Sequence, residues 1–147
     1  MDITIRSAVK KDSADIARLI VELAGSSGES SPITAEYAAQ YLETPGSHIF
    51  LAEEDRQVVG LLSYSMRVNL YHAGDTCLIE ELIVQQSARG RGIGGQLLEA
   101  LFRHLASQKC VEVSVTTLLD NQRAIAFYKS HGMVDEAILL EKHFTQG

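Results

Sequence analysis

The sequence has no apolar run approaching the roughly 20 residues that cross a bilayer. Its MDITIRSAVKKD start lacks the basic-then-apolar layout of a signal peptide, so a cytoplasmic protein is expected, without a membrane partner. Cysteine is scarce. Cys77 and Cys110 sit singly in apolar, strand-like runs, which excludes a disulfide framework and predicts reduced core thiols. The five histidines show no ligand-like spacing, and no metal site is expected. Low-complexity tracts and solenoid-period repeats are absent as well. Basic residues are outnumbered, giving a net charge of −6, which argues against a nucleic-acid partner.

What remains is globular: 147 residues, 46% hydrophobic and 22% charged, enough to bury a core in a single domain over residues 1–147. Alternation in DITIRSA predicts a strand. A helix over KKDSADIARLIVELAG follows, with Asp12 as N-cap, Asp15 in the first turn and Ile16, Leu19, Ile20 and Leu23 on one face. After the loop at residues 25–32, TAEYAAQYLE reads as a short helix ending before Pro45-Gly46. SHIFLAEE, VVGLLSYSMRVNL and CLIEELIV form a three-strand meander, the first pair joined by a tight turn at Asp55-Arg56-Gln57. Ile93, Leu97, Leu101 and Leu105 recur every four residues in the clearest helix of the chain. VEVSVTTL predicts a strand, NQRAIAFYKSHG a helix stopped by Gly132, and AILLEKHF a last strand. The expected fold is mixed α/β: a mostly antiparallel central sheet flanked by helices, in the order β-α-α-β-β-β-α-β-α-β, with one parallel crossover late in the chain. Only TQG follows the last strand. Either a partner subunit completes that edge, as in a homodimer, or the acceptor side of the sheet stands open.

Between the third meander strand and the clearest helix lies Arg89-Gly90-Arg91-Gly92-Ile93-Gly94-Gly95. A helix N-terminus leaves free N–H groups and about half a positive charge. Four glycines remove the side chains that would hold an anion at a distance, and Arg89 and Arg91 add charge, which together predict a diphosphate cradle. A turn that merely packs closely is the competing reading, and an entropically costly one. Gly94-Gly95-Gln96 lacks the GK[ST] of a Walker loop. Residues 90–95 do match G-x-G-x-x-G, but a dinucleotide-binding unit opens a parallel sheet, whereas this segment follows an antiparallel meander.

Arg89-x-x-Gly92-x-Gly94, after a strand and before an amphipathic helix, resembles the acyl-coenzyme A signature of the GNAT superfamily of N-acetyltransferases. Asn121, Ala124, Phe127-Tyr128 and Gly132 are similar to that family's second signature, in the right order and at a familiar separation. The layout is most like that of acetyltransferases of small amines such as polyamines and aminoglycosides. The resemblance implies acetyl-CoA as cofactor, its diphosphate held by the amides of Gly90, Arg91, Gly92, Ile93, Gly94 and Gly95. It implies a pantetheine arm along Leu82, Ile83 and Val84 where that strand splays from its neighbour, hydrogen-bonded from the other side by Asn121. Arg89 and Arg91 serve the phosphates or simply lie on the surface.

Acetyl transfer to an amine poses two proton problems. An alkylamine of pKa ~10.4 is cationic at neutral pH, so freeing the nucleophile costs roughly 4–5 kcal/mol, and a carboxylate can take the proton. Glu80 and Glu81, adjacent on a strand, are expected on opposite faces. Aligned on Arg89, Glu80 resembles the water-linked base proposed for polyamine acetyltransferases, with Glu81 in reserve. The leaving thiolate needs a proton, and the resemblance implies that Tyr128 supplies it as general acid or at least donates a hydrogen bond to the developing charge. Proton transfer from a phenol to a thiolate is uphill by about 2 kcal/mol in water, a gap that drying the site narrows. Phe127 reads as core. Glu29, Glu36, Tyr37 and Tyr41, with Tyr71-His72, are weaker candidates for receiving a cationic acceptor. No cysteine lies beside Tyr128, so direct transfer in a ternary complex is expected rather than a covalent acyl-enzyme. The expected acceptor is a small amine first, then a protein N-terminus or lysine. A non-catalytic acyl-CoA sensor would keep the cradle without needing Glu80 or Tyr128.

Overall fold

The computed structural model describes residues 2–144. Five strands, β1 (Thr4–Ser7), β2 (Ser47–Glu54), β3 (Gln57–Asn69), β4 (Gly74–Val84) and β5 (Glu112–Val115), lie side by side in chain order. The first four pair antiparallel and β5 joins β4 in parallel. The β2–β3 turn rests on Asp55 and Arg56 at φ 51° and 65°, the two left-handed residues that let a tight hairpin follow the strand twist. A parallel neighbour requires a crossover, and α3 (Ile93–Ser107) lies in that connection.

Helices cover both faces. α1 (Ser13–Ser26) and α2 (Ala35–Glu43) bury Ile16, Leu19 and Ala38 against Ile49, Leu51, Leu61 and Ile83. α3 buries the stripe expected of it, Ile93, Leu97, Leu101 and Leu105, together with Leu98. A Cβ on Gly60 would stand 3.3 Å from a Leu97 methyl. Its neighbour Leu61 faces α1 and α2, so alternation along β3 puts α3 on the opposite face.

The first helix starts later than its sequence pattern suggests, because Lys10–Asp12 form a 3-10 turn. Asp12 stands at the N-cap of α1 but makes no side-chain cap bond. Its carboxylate turns back, accepting from the Val9 N–H at 2.8 Å and from both terminal nitrogens of Arg6 at 2.9 Å. Arg6 also donates to Glu53 from Nε at 3.0 Å and from Nη2 at 2.8 Å. One guanidinium thus fastens β1 to β2 and to the start of α1, with Asp12 only 4% exposed.

The chain divides into two compact units after Val115. In the second, α4 (Gln122–Ser130) ends before Gly132, which takes φ 93°. The strand expected over AILLEKHF is not formed: residues 133–144 adopt no regular structure, and Ile138, Leu140 and Phe144 are exposed. A strand persists only where a neighbour takes its N–H and C=O groups, and among the described residues none pairs with this segment. β5 is also shorter than VEVSVTTL predicts, stopping at Val115. No helix of the described residues is long and apolar enough to cross a membrane.

Candidate active site

The turn after β4 is locked in place by ordinary backbone bonds. Gln85 N–H reaches Val59 O at 2.8 Å, Ala88 N–H reaches Gln85 O at 2.9 Å and Arg89 N–H reaches Gln86 O at 3.3 Å. Ala88 and Ile93 are each 2% exposed and anchor the two ends. Gly90 and Gly92 lie between them at φ 79° and 78°, a region that residues with a Cβ enter only at a cost. A Cβ at either would meet nothing within 4 Å. These glycines therefore leave space open rather than admit a neighbouring part of the protein. The first bond of α3 runs from Gln96 N–H to Gly92 O at 3.1 Å, and among the described residues none of the amides from Gly90 to Gly95 donates to the protein. Six consecutive unbonded donors thus stand at the positive end of a fifteen-residue helix, the chemistry that suits an anion.

The two arginines of this turn are already engaged. Arg89 donates from Nε to Val84 O at 2.8 Å and from Nη2 to Glu22 Oε2 at 3.2 Å, and the same Glu22 oxygen accepts the Gln86 N–H at 2.9 Å. Glu22 of α1 thereby pins the turn. Arg91 is paired with Glu54 at the end of β2, with one of its bonds at 3.1 Å, and it holds the Glu54 carboxyl below its ordinary range. Sequence offers no signal for Glu22 or Glu54, since each is one of many acidic residues on amphipathic elements.

Leu82, Ile83 and Val84 lie in a half-open stretch of β4. Pairing with β5 runs from Thr76↔Glu112 to Ile79↔Val115 and stops there. β4 continues to Val84, paired with β3 at Glu81, Leu82, Ile83 and Val84. Among the described residues, positions 80–84 thus have a strand neighbour on one side only, and the backbone groups of the other side can receive an extended ligand. The side chain of Ile83 is buried in the core against α1 and α2, while Leu82 and Val84 are half-buried.

A bulge overrides the expectation that Glu80 and Glu81 face opposite ways. Ser63 and Tyr64, consecutive on β3, pair with Glu81 and Ile79, leaving Glu80 as an extra residue without a partner. Ile79 follows Tyr64 to one face and Glu81 follows Ser63 to the other, where α1 and α2 lie. Burial and then the charges of Glu81 and Glu80 push the Tyr41 phenol of α2 upward, so both carboxylates act on this one hydroxyl. Glu80 is exposed and Glu81 half-buried. Ser63 Oγ donates to Glu81 Oε1 and accepts the Glu81 N–H at 3.0 Å. Burial lifts the Glu81 carboxyl above its ordinary value, the Ser63 bond opposes that rise, and the Glu80 charge adds to it. Of the weaker acceptor candidates only Tyr41 joins this group. Glu29, Glu36 and Tyr37 lie exposed, and His72 pairs with Glu112 at 3.4 Å. Ser63 is absent from the sequence-based site, although a hydroxyl within the apolar run VVGLLSYSM is a usable signal.

Asn121 and Tyr128 belong to the second unit. Asn121 caps α4, its Oδ1 accepting the Ala124 N–H at 3.1 Å. Tyr128 is buried on the same helix, and burial pushes its phenol up to about 12. Phe127, half-buried rather than core, meets the Tyr128 ring edge-on at 5.1 Å. Both cysteines are free; Cys77 is buried as expected, and Cys110 is half-buried.

Residues 15–133 match the family model described as the acetyltransferase (GNAT) family. The chain is 33% identical over 129 residues to the aminoalkylphosphonate N-acetyltransferase of Salmonella typhimurium, covering 87% of this chain and 82% of that one. It is 28% identical over 145 residues to the thialysine N-epsilon-acetyltransferase of Bos taurus, covering 90% and 85%. Among solved structures, an aminoglycoside acetyltransferase from an uncultured soil metagenomic sample superposes with a TM-score of 0.84 at 21% identity, over 99% of this chain and 97% of that one. A possible acetyltransferase from Clostridium difficile 630 does so with a TM-score of 0.88 at 19% identity, over 99% of each. With unbonded amides at the head of α3, an open strand edge leading to them and a family model spanning both signatures, the chain belongs to the GNAT acetyltransferase family.

Proposed function

We propose that this enzyme transfers an acetyl group from acetyl-CoA to the primary amine of a small molecule, by direct attack within a ternary complex. One observation carries the reading: the donor-rich turn at residues 90–95 lies at the end of a strand whose last five residues are unpaired on one side. A diphosphate joined to a long, amide-bearing arm suits that layout. The amides of Gly90 to Gly95 would hold the diphosphate, and the backbone of Leu82, Ile83 and Val84 would hold the arm. The fit rests on free donors and on open space above Gly90 and Gly92. Bound acetyl-CoA supplies an activated thioester carbonyl.

The remaining roles fall to side chains. Arg89 braces the turn through Val84 O and Glu22, and Arg91 adds positive charge that Glu54 partly offsets. Asn121 caps α4 through its oxygen, and its likeness to the family's second signature assigns its amide N–H groups to the arm. Tyr128, with a phenol near 12, suits hydrogen-bond donation to a developing thiolate better than outright proton transfer, unless the thiolate is equally desolvated. Glu80, exposed at the bulge, and Glu81 beside it supply the carboxylates for freeing the amine, one of them taking its proton directly or through a water. Small amine acceptors among the relatives, an aminoalkylphosphonate and thialysine, support a small molecule over a protein terminus. The free cysteines suit a reducing, cytoplasmic setting.

Thermal shift and thiol release test the proposal together. Acetyl-CoA is expected to raise the unfolding midpoint where NAD does not. Thiol release is expected with at least one member of a panel of 2-aminoethylphosphonate, thialysine, spermidine and an aminoglycoside. Silence across the panel, whether or not a free peptide N-terminus reacts, would overturn it.

A further inference from the structure

Glu81 is held in a manner that neither the sheet nor the amide turn requires. The bulge at Glu80 brings it onto the face covered by α1 and α2. There Ser63, 2% exposed, grips it at two points, donating to Oε1 and accepting its N–H at 3.0 Å. The titratable groups facing it are Glu80 on the same strand and Tyr41 on α2. β3 presents the Ser63 hydroxyl, and no cation pairs with Glu81 among the described residues. Oε2 accepts no hydrogen bond there either. A half-covered carboxylate beside a second carboxylate, without a counter-cation, works against folding. A serine that donates to the ionised form keeps that carboxylate in place, with one oxygen left over for an arriving cation.

We propose that Ser63 is a positioning residue for acetyl transfer: it fixes the Glu81 carboxylate beside Glu80 so that Glu81 takes the proton from the acceptor's ammonium group. This rests on the acetyl-CoA-dependent N-acetyl transfer proposed above. The ammonium is drawn to both negative charges, and one N–H proton passes to Glu81 Oε2 and from there to water. The neutral nitrogen then attacks the thioester carbonyl, the C–N bond forms and the C–S bond breaks. The second amine proton leaves with the coenzyme sulfur, so an ammonium and a thioester become an amide, a thiol and one released proton. Glu81 suits the first step because burial and Glu80 bring its proton affinity nearer to that of an amine. Glu80, more exposed, supplies charge. Ser63 limits the rise, since its hydroxyl donates to the ionised form.

The test uses the full chain as wild type, Ser63→Ala, Ser63→Thr and Glu81→Gln. Carbon-detected NMR titration of the glutamate carboxyls, with the Glu81 signal assigned from Glu81→Gln, reads proton affinity without any turnover. The pH profile of kcat/KM with acetyl-CoA and 2-aminoethylphosphonate, or the best amine of the panel, reads the reaction. Loss of one hydrogen bond to a charged group corresponds to about 1–2 pH units. Ser63→Ala is expected to move both the Glu81 titration and the acid limb of the profile upward by about that much, with KM for acetyl-CoA unchanged. Ser63→Thr, which keeps the hydroxyl, is expected to restore both. A Glu81 titration unmoved in Ser63→Ala, or moved without the rate profile, overturns this proposal while leaving acetyl transfer intact. A wild type that releases no thiol with any amine overturns the proposed function, and this inference with it.

Discussion

The two halves of β4 belong to one continuous strand, yet they do different work. From Thr76 to Ile79 the strand has a partner on each side, and Cys77 and Ile79 are each 2% exposed. From Glu80 to Val84 it keeps β3 and loses β5, carries both carboxylates and runs into the glycine turn. The first half is scaffold. The second leaves donors and acceptors unspent, which a folded protein tolerates only where water or a ligand takes them. One residue marks the change, since the bulge at Glu80 coincides with the last parallel pair at Ile79.

Substitutions at the two ends of the strand should separate these roles. Gly92→Asp puts a carboxylate at the head of α3, where a Cβ has open space, and like charge at close range repels strongly. Acetyl-CoA affinity by calorimetry is expected to fall at least about 100-fold; undiminished binding would remove the anion site from the open half. Ile79→Ala, in the paired half, is expected to cost about 3 kcal/mol of stability in urea unfolding and to leave acetyl-CoA affinity unchanged at temperatures where the variant is folded. Equal losses of stability and affinity would mean that the halves are not separable. The smallest effect is expected at Glu54→Gln, which frees Arg91 beside the turn. Coenzyme binding should tighten about two- to fivefold at low ionic strength, less as salt is added. Weaker binding would show that Glu54 holds Arg91 in a useful position instead of competing for it.

Much of the scaffold was legible in the sequence, and the reasons are local. The i+4 stripe of α3, the glycine turn before it and the Asp55-Arg56 hairpin each express a backbone preference within a few residues. Two features depended on longer range. Nothing in LIEELIV reveals a bulge, because the extra residue is defined only by what β3 places opposite, and a strict alternation therefore assigned Glu80 and Glu81 to opposite faces. AILLEKHF has the composition of a strand and forms none, because a strand also needs an edge. Beyond these two, sequence left the signature arginines to the phosphates or to the surface, whereas Glu22 and Glu54, 67 and 37 residues away in sequence, hold them.

The guanidinium of Arg6 has a consequence for how the molecule meets acid. Its hydrogen bond is the main reason that the Asp12 carboxyl sits below the ordinary aspartate value of 3.8, against the opposing effect of burial. An unfolded chain therefore binds that proton more readily than the folded one. The contribution of the pair is complete above the unfolded value and drains away as pH falls through the folded one. β1 borders the sheet with β2 as its sole strand neighbour among the described residues, and Arg6 also carries its tie to α1. Acidification thus loosens the β1 rim of the sheet, so that souring the medium unfastens that border of the fold independently of any titration at Glu80 and Glu81.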